Sequence, residues 1–436
     1  MSAPEFVVRN GYWQDQLCDV LISRGRIVDL VPADPSQNFE DSETLDAQEA
    51  LLLPGLIDAH THLREPGQEY KEDIHSGLCA AAQGGFSHVL CMANTDPVND
   101  CAAVTALQLH KAASSHPRGP FLRPIGALSM GLAGRELAPF YELAEAGCVA
   151  LSNDGVPVAD NLFFRRALEY SASTGLPVID HCEDPSLSSS GMVNEGSISD
   201  LLGLPGQPSI AETLQVSRDI LLAKYLDIPV HLAHISTRES VELISRAKED
   251  GVPVTAETCP HYLLWDQSMV QGYTTSAKVN PPLRTADDVQ ALAQAVRQGV
   301  IDILVTDHAP HADFEKDAPF SQAPNGISGL DTALSLSWSL VQNHVLSQRD
   351  LIRLWSTAPS ALFGLETNTF TPGSVADICI FDPRAEWTVS EDNMASKGKN
   401  TPCLGQVLPG RVQSLIVHGS LVYNAAYKHS WQQRYR

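Results

Sequence analysis

Eight short apolar runs, most of them separated by stretches of helical periodicity, predict a (β/α)8 barrel of the TIM type across the middle of this chain. β-Branched runs at both chain ends predict a small β-sandwich domain beside it. A third observation puts chemistry on that frame. The first run leads directly into Asp58-Ala59-His60-Thr61-His62-Leu63-Arg64, two histidines two residues apart at a strand exit. Side chains alternate along a strand, so both imidazoles share a face, and two neutral imidazoles converging on one point suit a divalent metal.

Residues 5–53 read as short strands: Glu5-Phe6-Val7-Val8, Cys18-Asp19-Val20-Leu21-Ile22 and Arg26-Ile27-Val28-Asp29-Leu30, with Arg24-Gly25 as a turn. The same texture returns in Asp377-Ile378-Cys379-Ile380-Phe381 and Ser414-Leu415-Ile416-Val417-His418-Gly419. The ends therefore pair into one β domain, residues 1–53 plus 366–436, and residues 54–365 form the barrel. Its eight runs are 56–60, 88–94, 121–127, 148–152, 177–181, 229–234, 253–257 and 302–307. Intervals such as 211–222 carry apolar residues at helical spacing. A doubly wound open sheet is the alternative, and the count of eight favours the barrel. The stretch 311–329, rich in Pro, Gly, Ala and charge, reads as a long loop after the eighth strand, on the active face.

With 436 residues the chain can bury a large core, and its 43% hydrophobic and 19% charged residues are ordinary for a globular protein. A net charge of −23 argues against nucleic acid and anionic membranes as partners, both of which need a basic footprint. It leaves room for an anionic substrate, because metals and a local arginine set the field inside a pocket. Nine scattered cysteines with no Cys-x-x-Cys read as reduced core residues, neither a disulfide frame nor a zinc knuckle. No apolar stretch reaches membrane-spanning length, and the first residues carry no basic segment followed by an apolar one. The expectation is a cytoplasmic protein.

Barrel strands end at one mouth, where the chemistry is built, so the polar residues that end the runs are the ones to collect. Run one ends in His60 and His62, run four leads to Asp154, run five ends in His181, run six in His234 and run eight in Asp307. Each alone has an ordinary reading, such as a rim histidine, a turn former before Gly155 or a helix cap. Six together are enough N and O donors for two metals sharing a water. Zinc suits the imidazole-rich set, and Mn, Co or Fe also fit it. Such metals lower the pKa of a bound water and polarise a carbonyl, which makes hydroxide attack on an amide feasible. Asp307 is placed both to hold metal and to carry a proton to a leaving nitrogen.

Pro54-Gly55-Leu56-Ile57-Asp58-Ala59-His60-Thr61-His62-Leu63-Arg64-Glu65-Pro66-Gly67 resembles the opening motif of the amidohydrolase superfamily, and more narrowly that of the dihydroorotases. Similar segments follow in order: Met92-Ala93-Asn94-Thr95, Asn153-Asp154-Gly155, His231-Leu232-Ala233-His234-Ile235-Ser236, Glu257-Thr258-Cys259-Pro260-His261, Asn280-Pro281-Pro282-Leu283-Arg284, Thr306-Asp307-His308-Ala309-Pro310-His311 and Ser396-Lys397-Gly398-Lys399-Asn400-Thr401-Pro402. The resemblance implies that His60, His62 and Asp307 hold one metal and His181 and His234 the other, with Asp154 shared. It also implies that Arg64, Asn94 and His311 grip a substrate carboxylate, with His62 beside them, while Asn280 and the backbone at Asn325-Gly326 meet the substrate ring. A guanidinium suits that carboxylate because it binds one bidentately.

Many amidohydrolases bridge their metals with a carboxylated lysine at the end of strand four. Here 148–155 contains no lysine, and the chain resembles the bacterial dihydroorotases that use an aspartate instead. That departure counts against hydantoinases and allantoinases, and the shorter aspartate leaves one metal or two open. The implied activity is the reversible cyclisation of N-carbamoyl-L-aspartate to dihydroorotate in pyrimidine synthesis. Other implied possibilities are another cyclic amidohydrolase and a non-catalytic partner of aspartate carbamoyltransferase. A homodimer and association with that transferase are further expectations for partners.

Overall fold

The computed structural model describes residues 4–188 and 190–427; the outermost parts of the expected β domain, 1–3 and 428–436, lie outside the described residues. The chain opens with β1 (Phe6–Trp13), β2 (Gln16–Ser23), β3 (Arg26–Pro32), β4 (Glu43–Asp46) and β5 (Leu51–Pro54). The barrel follows with β6 (Leu56–Thr61), β7 (Phe86–Cys91), β8 (Phe121–Ala127), β9 (Ala150–Ser152) and β10 (Val178–Asp180). After a small lateral pair, β11 (Val193–Asn194) and β12 (Gly206–Gln207), it resumes with β13 (Val230–Leu232), β14 (Val254–Thr258) and β15 (Ile303–Leu304). The chain then leaves through β16 (Ile378–Thr388), β17 (Val407–Val417) and β18 (Ser420–Asn424).

The two chain ends form one hydrogen-bonded sheet in the order β18-β17-β16-β5-β1-β2-β3, with β4 alongside β1. They meet where β5 runs antiparallel to β16, Leu51 facing Phe381 and Pro54 facing Ile378. The apolar stretch from Leu51 to Ile57 looks continuous in sequence but serves two sheets. It divides at Gly55, where a side chain would come within 2.6 Å of the Ser87 hydroxyl and 3.0 Å of Asp377. Only glycine permits that approach as the chain crosses from the outer sheet into the barrel.

Barrel strands pair in parallel in the order β6-β7-β8-β9-β10-β13-β14-β15, and each of the eight apolar runs overlaps one of them. Near-continuous burial of these short strands follows from a sheet covered on its outer face by helices and filled within. The seam between β15 and β6 closes just beyond the strand ends. Thr61 bridges His308, and the His62 amide donates to the His308 carbonyl at 2.8 Å. The carboxylate of Asp58, ahead of the histidine pair, accepts from the Thr306 amide at 3.1 Å. These contacts set the first and last ligand-bearing segments side by side.

The stretch 311–329 carries the short helix Asp313–Lys316, and Ile327 returns to bridge His308. All nine cysteines are unpaired, seven of them buried. Among the described residues no helix is long and apolar enough to cross a membrane.

Candidate metal centre

The six donors collected from five strand ends converge. The Nε2 of His60 lies 3.4 Å from Asp154 Oδ1 and 3.6 Å from Asp307 Oδ1. The Nε2 of His62 lies 3.1 Å from Asp307 Oδ1 and 3.5 Å from Asp154 Oδ2. On the other side, His181 Nδ1 stands 3.2 Å from Asp154 Oδ1 and 2.8 Å from His234 Nε2, which is itself 3.4 Å from Asp154 Oδ1. Donor atoms of His60, His62 and Asp307 all lie within 4.8 Å of one another, and so do those of His60, Asp154 and His234. Asp154 therefore touches all four imidazoles from between them.

The orientation of the rings is built for ligation. Nδ1 of His60 donates to Glu257 at 2.7 Å, so Nε2 carries the free lone pair; it is buried and has no hydrogen-bond partner. His62 donates through Nδ1 to the Asn94 side-chain oxygen at 2.9 Å, which again turns Nε2 inward. A ligating imidazole whose other nitrogen donates to a carboxylate or amide oxygen has its tautomer and ring direction fixed. His181 turns Nδ1 inward and places Nε2 3.0 Å from Glu183.

The field at the centre favours positive charge. Burial works against a charged His60, yet the carboxylates of Asp154 and Glu257 outweigh it and raise its proton affinity well above that of an ordinary imidazole. For His181 burial is outweighed by Asp154 and Glu183, and its pKa is pushed up to about 10. Burial is likewise overcome at Asp154, held well below the usual carboxylate range by His60, His181 and His234. At Asp307 burial again yields, to a hydrogen bond with His62 and the nearby imidazoles, and the carboxyl is lowered. A buried set of imidazoles and ionised carboxylates with an orphaned inward lone pair fits a divalent cation.

Strain marks the same places. Arg64, His234 and Asp307 adopt φ of 62°, 32° and 47°, left-handed values that a non-glycine residue holds only when its surroundings impose them. The centre opens into a cavity of about 210 Å³ lined by His62, Arg64, Asn94, Asp154, His181, His234, Asn280, Asp307, Asn325 and Gly326 among others. The half-buried Arg64 donates through Nε to the Pro310 carbonyl at 3.1 Å and lies 3.4 Å from His311 Nε2. Among the described residues it makes no ion pair with a carboxylate, which leaves a guanidinium facing the cavity. Burial and Arg64 push His311 down to about 2, so it is neutral and donates to the Asn325 carbonyl at 2.8 Å. Gly326, at φ 140°, could not carry a side chain: its first carbon would lie 2.6 Å from the Ala309 carbonyl oxygen. Asn280 donates to Glu183 at 2.7 Å and reaches to 3.4 Å from His181.

Three supporting residues escape the sequence reading. Glu257 ends the seventh apolar run and obeys the rule that found the others; its second oxygen accepts from His231 at 3.0 Å. Burial opposes ionisation of its carboxyl, but His60 and His231 prevail and hold it low. Glu183 stands two residues beyond His181, outside its strand. Asn400 comes from the far end of the chain, accepting from the His311 amide at 2.8 Å and donating to the carbonyls of Ala309 and Gly326, both at 3.0 Å. No local pattern near Asn400 signals those partners.

A closed parallel barrel with this donor set at one mouth defines a metal-dependent cyclic amidohydrolase. Solved structures agree on the fold. The L-hydantoinase (dihydropyrimidinase) from Arthrobacter aurescens superposes with a TM-score of 0.83 at 24% identity, over 96% of each chain. The D-hydantoinase (dihydropyrimidinase) from Thermus sp. gives 0.81 at 20%, over 96% of this chain and 95% of that one. The family model for dihydro-orotase-like proteins matches residues 49–240. The dihydroorotase of Geobacter metallireducens is 47% identical over 94% of this chain and 96% of its own length, and that of Syntrophus aciditrophicus 46% over 94% and 95%. This chain belongs to the dihydroorotase family.

Proposed function

We propose that this protein is a working dihydroorotase, interconverting N-carbamoyl-L-aspartate and (S)-dihydroorotate in pyrimidine synthesis. The observation that carries the reading is one cavity lined by five of the six donors, all but the fully buried His60, together with the Arg64 guanidinium. The first suits a cyclic amide and the second the carboxylate that dihydroorotate bears on its ring. His60, His62 and Asp307 would hold one cation and His181 and His234 another, with Asp154 shared. Zinc is the ion proposed, on the strength of four imidazoles. When bound, the cations supply a water of lowered pKa and polarise the amide carbonyl.

The chain's own residues do the rest. Arg64 takes the ring carboxylate bidentately, with Asn94 and His311 beside it, and this fixes which amide faces the centre. Asn280 and the backbone of Asn325 and Gly326 meet the ring. In the hydrolytic direction the ring C–N bond breaks and a carboxylate forms. Asp307, ionised at neutral pH, accepts the proton from water and delivers it to the departing nitrogen. Cyclisation runs the same steps backwards and releases water. The reading includes a cytoplasmic location, and a homodimer and docking to aspartate carbamoyltransferase extend it; size measurement with and without that transferase tests both. Against a non-catalytic scaffold, none of the six donor positions is lost.

The test is an assay of metal-loaded protein with N-carbamoyl-L-aspartate, dihydroorotate, hydantoin, allantoin and dihydrouracil, with metal content measured on the same sample. Ring closure of carbamoyl-aspartate, strongly slowed in Asp307→Asn, is expected. Turnover of hydantoin or allantoin without that ring closure would overturn the reading.

A further inference from the structure

A second cluster of metal-ligating side chains lies on the helical layer and shares no residue with the barrel mouth. His75 and Cys79 are four residues apart on the helix Ile74–Gly84, a spacing that stacks them on one face. His116 caps the C-terminus of the neighbouring helix Ala102–Ser115. Its Nε2 lies 3.2 Å from His75 Nδ1 and 3.8 Å from Cys79 Sγ, and Cys79 Sγ lies 3.9 Å from His75 Nε2. One donor atom from each of the three falls within 4.8 Å of the others.

We propose that His75, Cys79 and His116 form a separate binding site for a borderline-soft divalent cation of the zinc type, joining the first two barrel helices. Bonds of about 2.0 Å to nitrogen and 2.3 Å to sulfur hold tetrahedral donors roughly 3.3 to 3.6 Å apart. The 3.8 Å between His116 Nε2 and Cys79 Sγ lies close to that range, while the two His75 distances belong to different ring nitrogens, so the His75 ring turns to present one of them to the cation. A thiolate with two imidazoles selects zinc or cobalt over magnesium or manganese. His75 and Cys79 are only partly buried, which leaves an entry path and a fourth position for water.

The electrostatics are mixed and consistent with this use. Burial, then Glu72, Asp73 and Asp331, push the Cys79 thiol up to about 12, so the sulfur is protonated until a cation displaces the proton. Those same carboxylates favour the cation once it arrives. Burial and His75 push His116 down to about 4, which keeps it in the neutral form that ligates. Without a cation the three side chains still contact one another, and His116 Nε2 also lies 3.3 Å from the His75 carbonyl oxygen.

Cobalt(II) separates the two descriptions, because the donor set at the mouth contains no sulfur. Full-length protein loaded with cobalt alone should show thiolate-to-cobalt charge-transfer absorption. Cys79→Ser should lose that absorption together with one cobalt equivalent per chain. His116→Ala, which keeps the thiol, should lose the band at the cobalt concentration that saturates the parent. Absence of the band from the parent overturns the site. So does an unchanged band and cobalt count in Cys79→Ser or, if that variant misfolds, in His116→Ala.

Discussion

The cavity has two walls that are held in different ways. The wall proposed to hold metal is made of side chains at the exits of buried strands, and two of its imidazoles are aimed by short contacts on their outer nitrogens, His60 by Glu257 and His62 by Asn94. The wall proposed to meet substrate, from Arg64 across to Asn325 and Gly326 with His311 in contact with Arg64 and Asn325, hangs on loops. It is held by main-chain hydrogen bonds, several of them to Asn400. Charge density explains the contrast. Cations demand donors placed to within tenths of an ångström, which only the barrel's framework supplies, whereas a carboxylate tolerates a guanidinium on a loop.

The largest effect is therefore expected on the first wall. Asp307→Asn removes the group assigned to proton transfer and replaces an anionic donor proposed for the metal with a neutral amide oxygen. It should lower kcat by roughly 10²–10⁴-fold with little change in KM for carbamoyl-aspartate. Steady-state kinetics with metal analysis checks this, and a variant that keeps its kcat removes Asp307 from the proton path. Next comes Glu257→Gln. A carboxylate accepts from His60 and His231 at once, while an amide has a single oxygen and must fail one of them. Metal affinity or activity should fall roughly 10–100-fold, read by competition with a chelator.

The contrast between the walls also explains what could be read in the sequence. Alternation along a strand and the rule that barrel chemistry sits at strand exits are local, so His60, His62, Asp154, His181, His234 and Asp307 could be collected from eight apolar runs. Glu257 was within reach of the same rule. The division of the apolar stretch 51–57 at Gly55 was not, because it depends on the close approach of Ser87 and Asp377. Asn400 was further out of reach. Its four partners are 72 to 91 residues away in sequence, and an asparagine in a loop looks the same whether it faces water or four buried backbone and hydroxyl groups. The resemblance of 396–402 to a family segment pointed to that region without saying what it holds.

On the second wall, Arg64→Lys keeps the charge and loses the planar fork. Roughly a tenfold rise in KM is expected, about 1.4 kcal/mol, with kcat much less affected. A substrate analogue lacking the ring carboxylate should not distinguish the Arg64→Lys variant from the parent. If kcat falls as much as KM rises, Arg64 belongs functionally to the metal-facing wall, and the two walls do not divide by role.

The smallest effect on turnover, and the sharpest test of how the second wall is held, comes from Asn400. Its oxygen accepts from the His311 amide at 2.8 Å and the Ser328 hydroxyl at 2.9 Å, while its nitrogen donates to the carbonyls of Ala309 and Gly326. Asn400→Ala leaves these four groups to find water or stay unpaired, which should cost about 1–3 kcal/mol of unfolding free energy and raise KM modestly. Asn400→Asp is the discriminating variant. A carboxylate still accepts from His311 and Ser328, but it presents oxygen to the two carbonyls where the amide presented N–H. It should therefore stabilise no better than alanine, despite matching asparagine in size. Urea unfolding ranks the three proteins, and amide exchange at His311 and Gly326 reports on the wall itself. Parent-like exchange in both variants would mean that the loop holds its shape without Asn400, and the long-range anchoring of the substrate-facing wall would have to be assigned elsewhere.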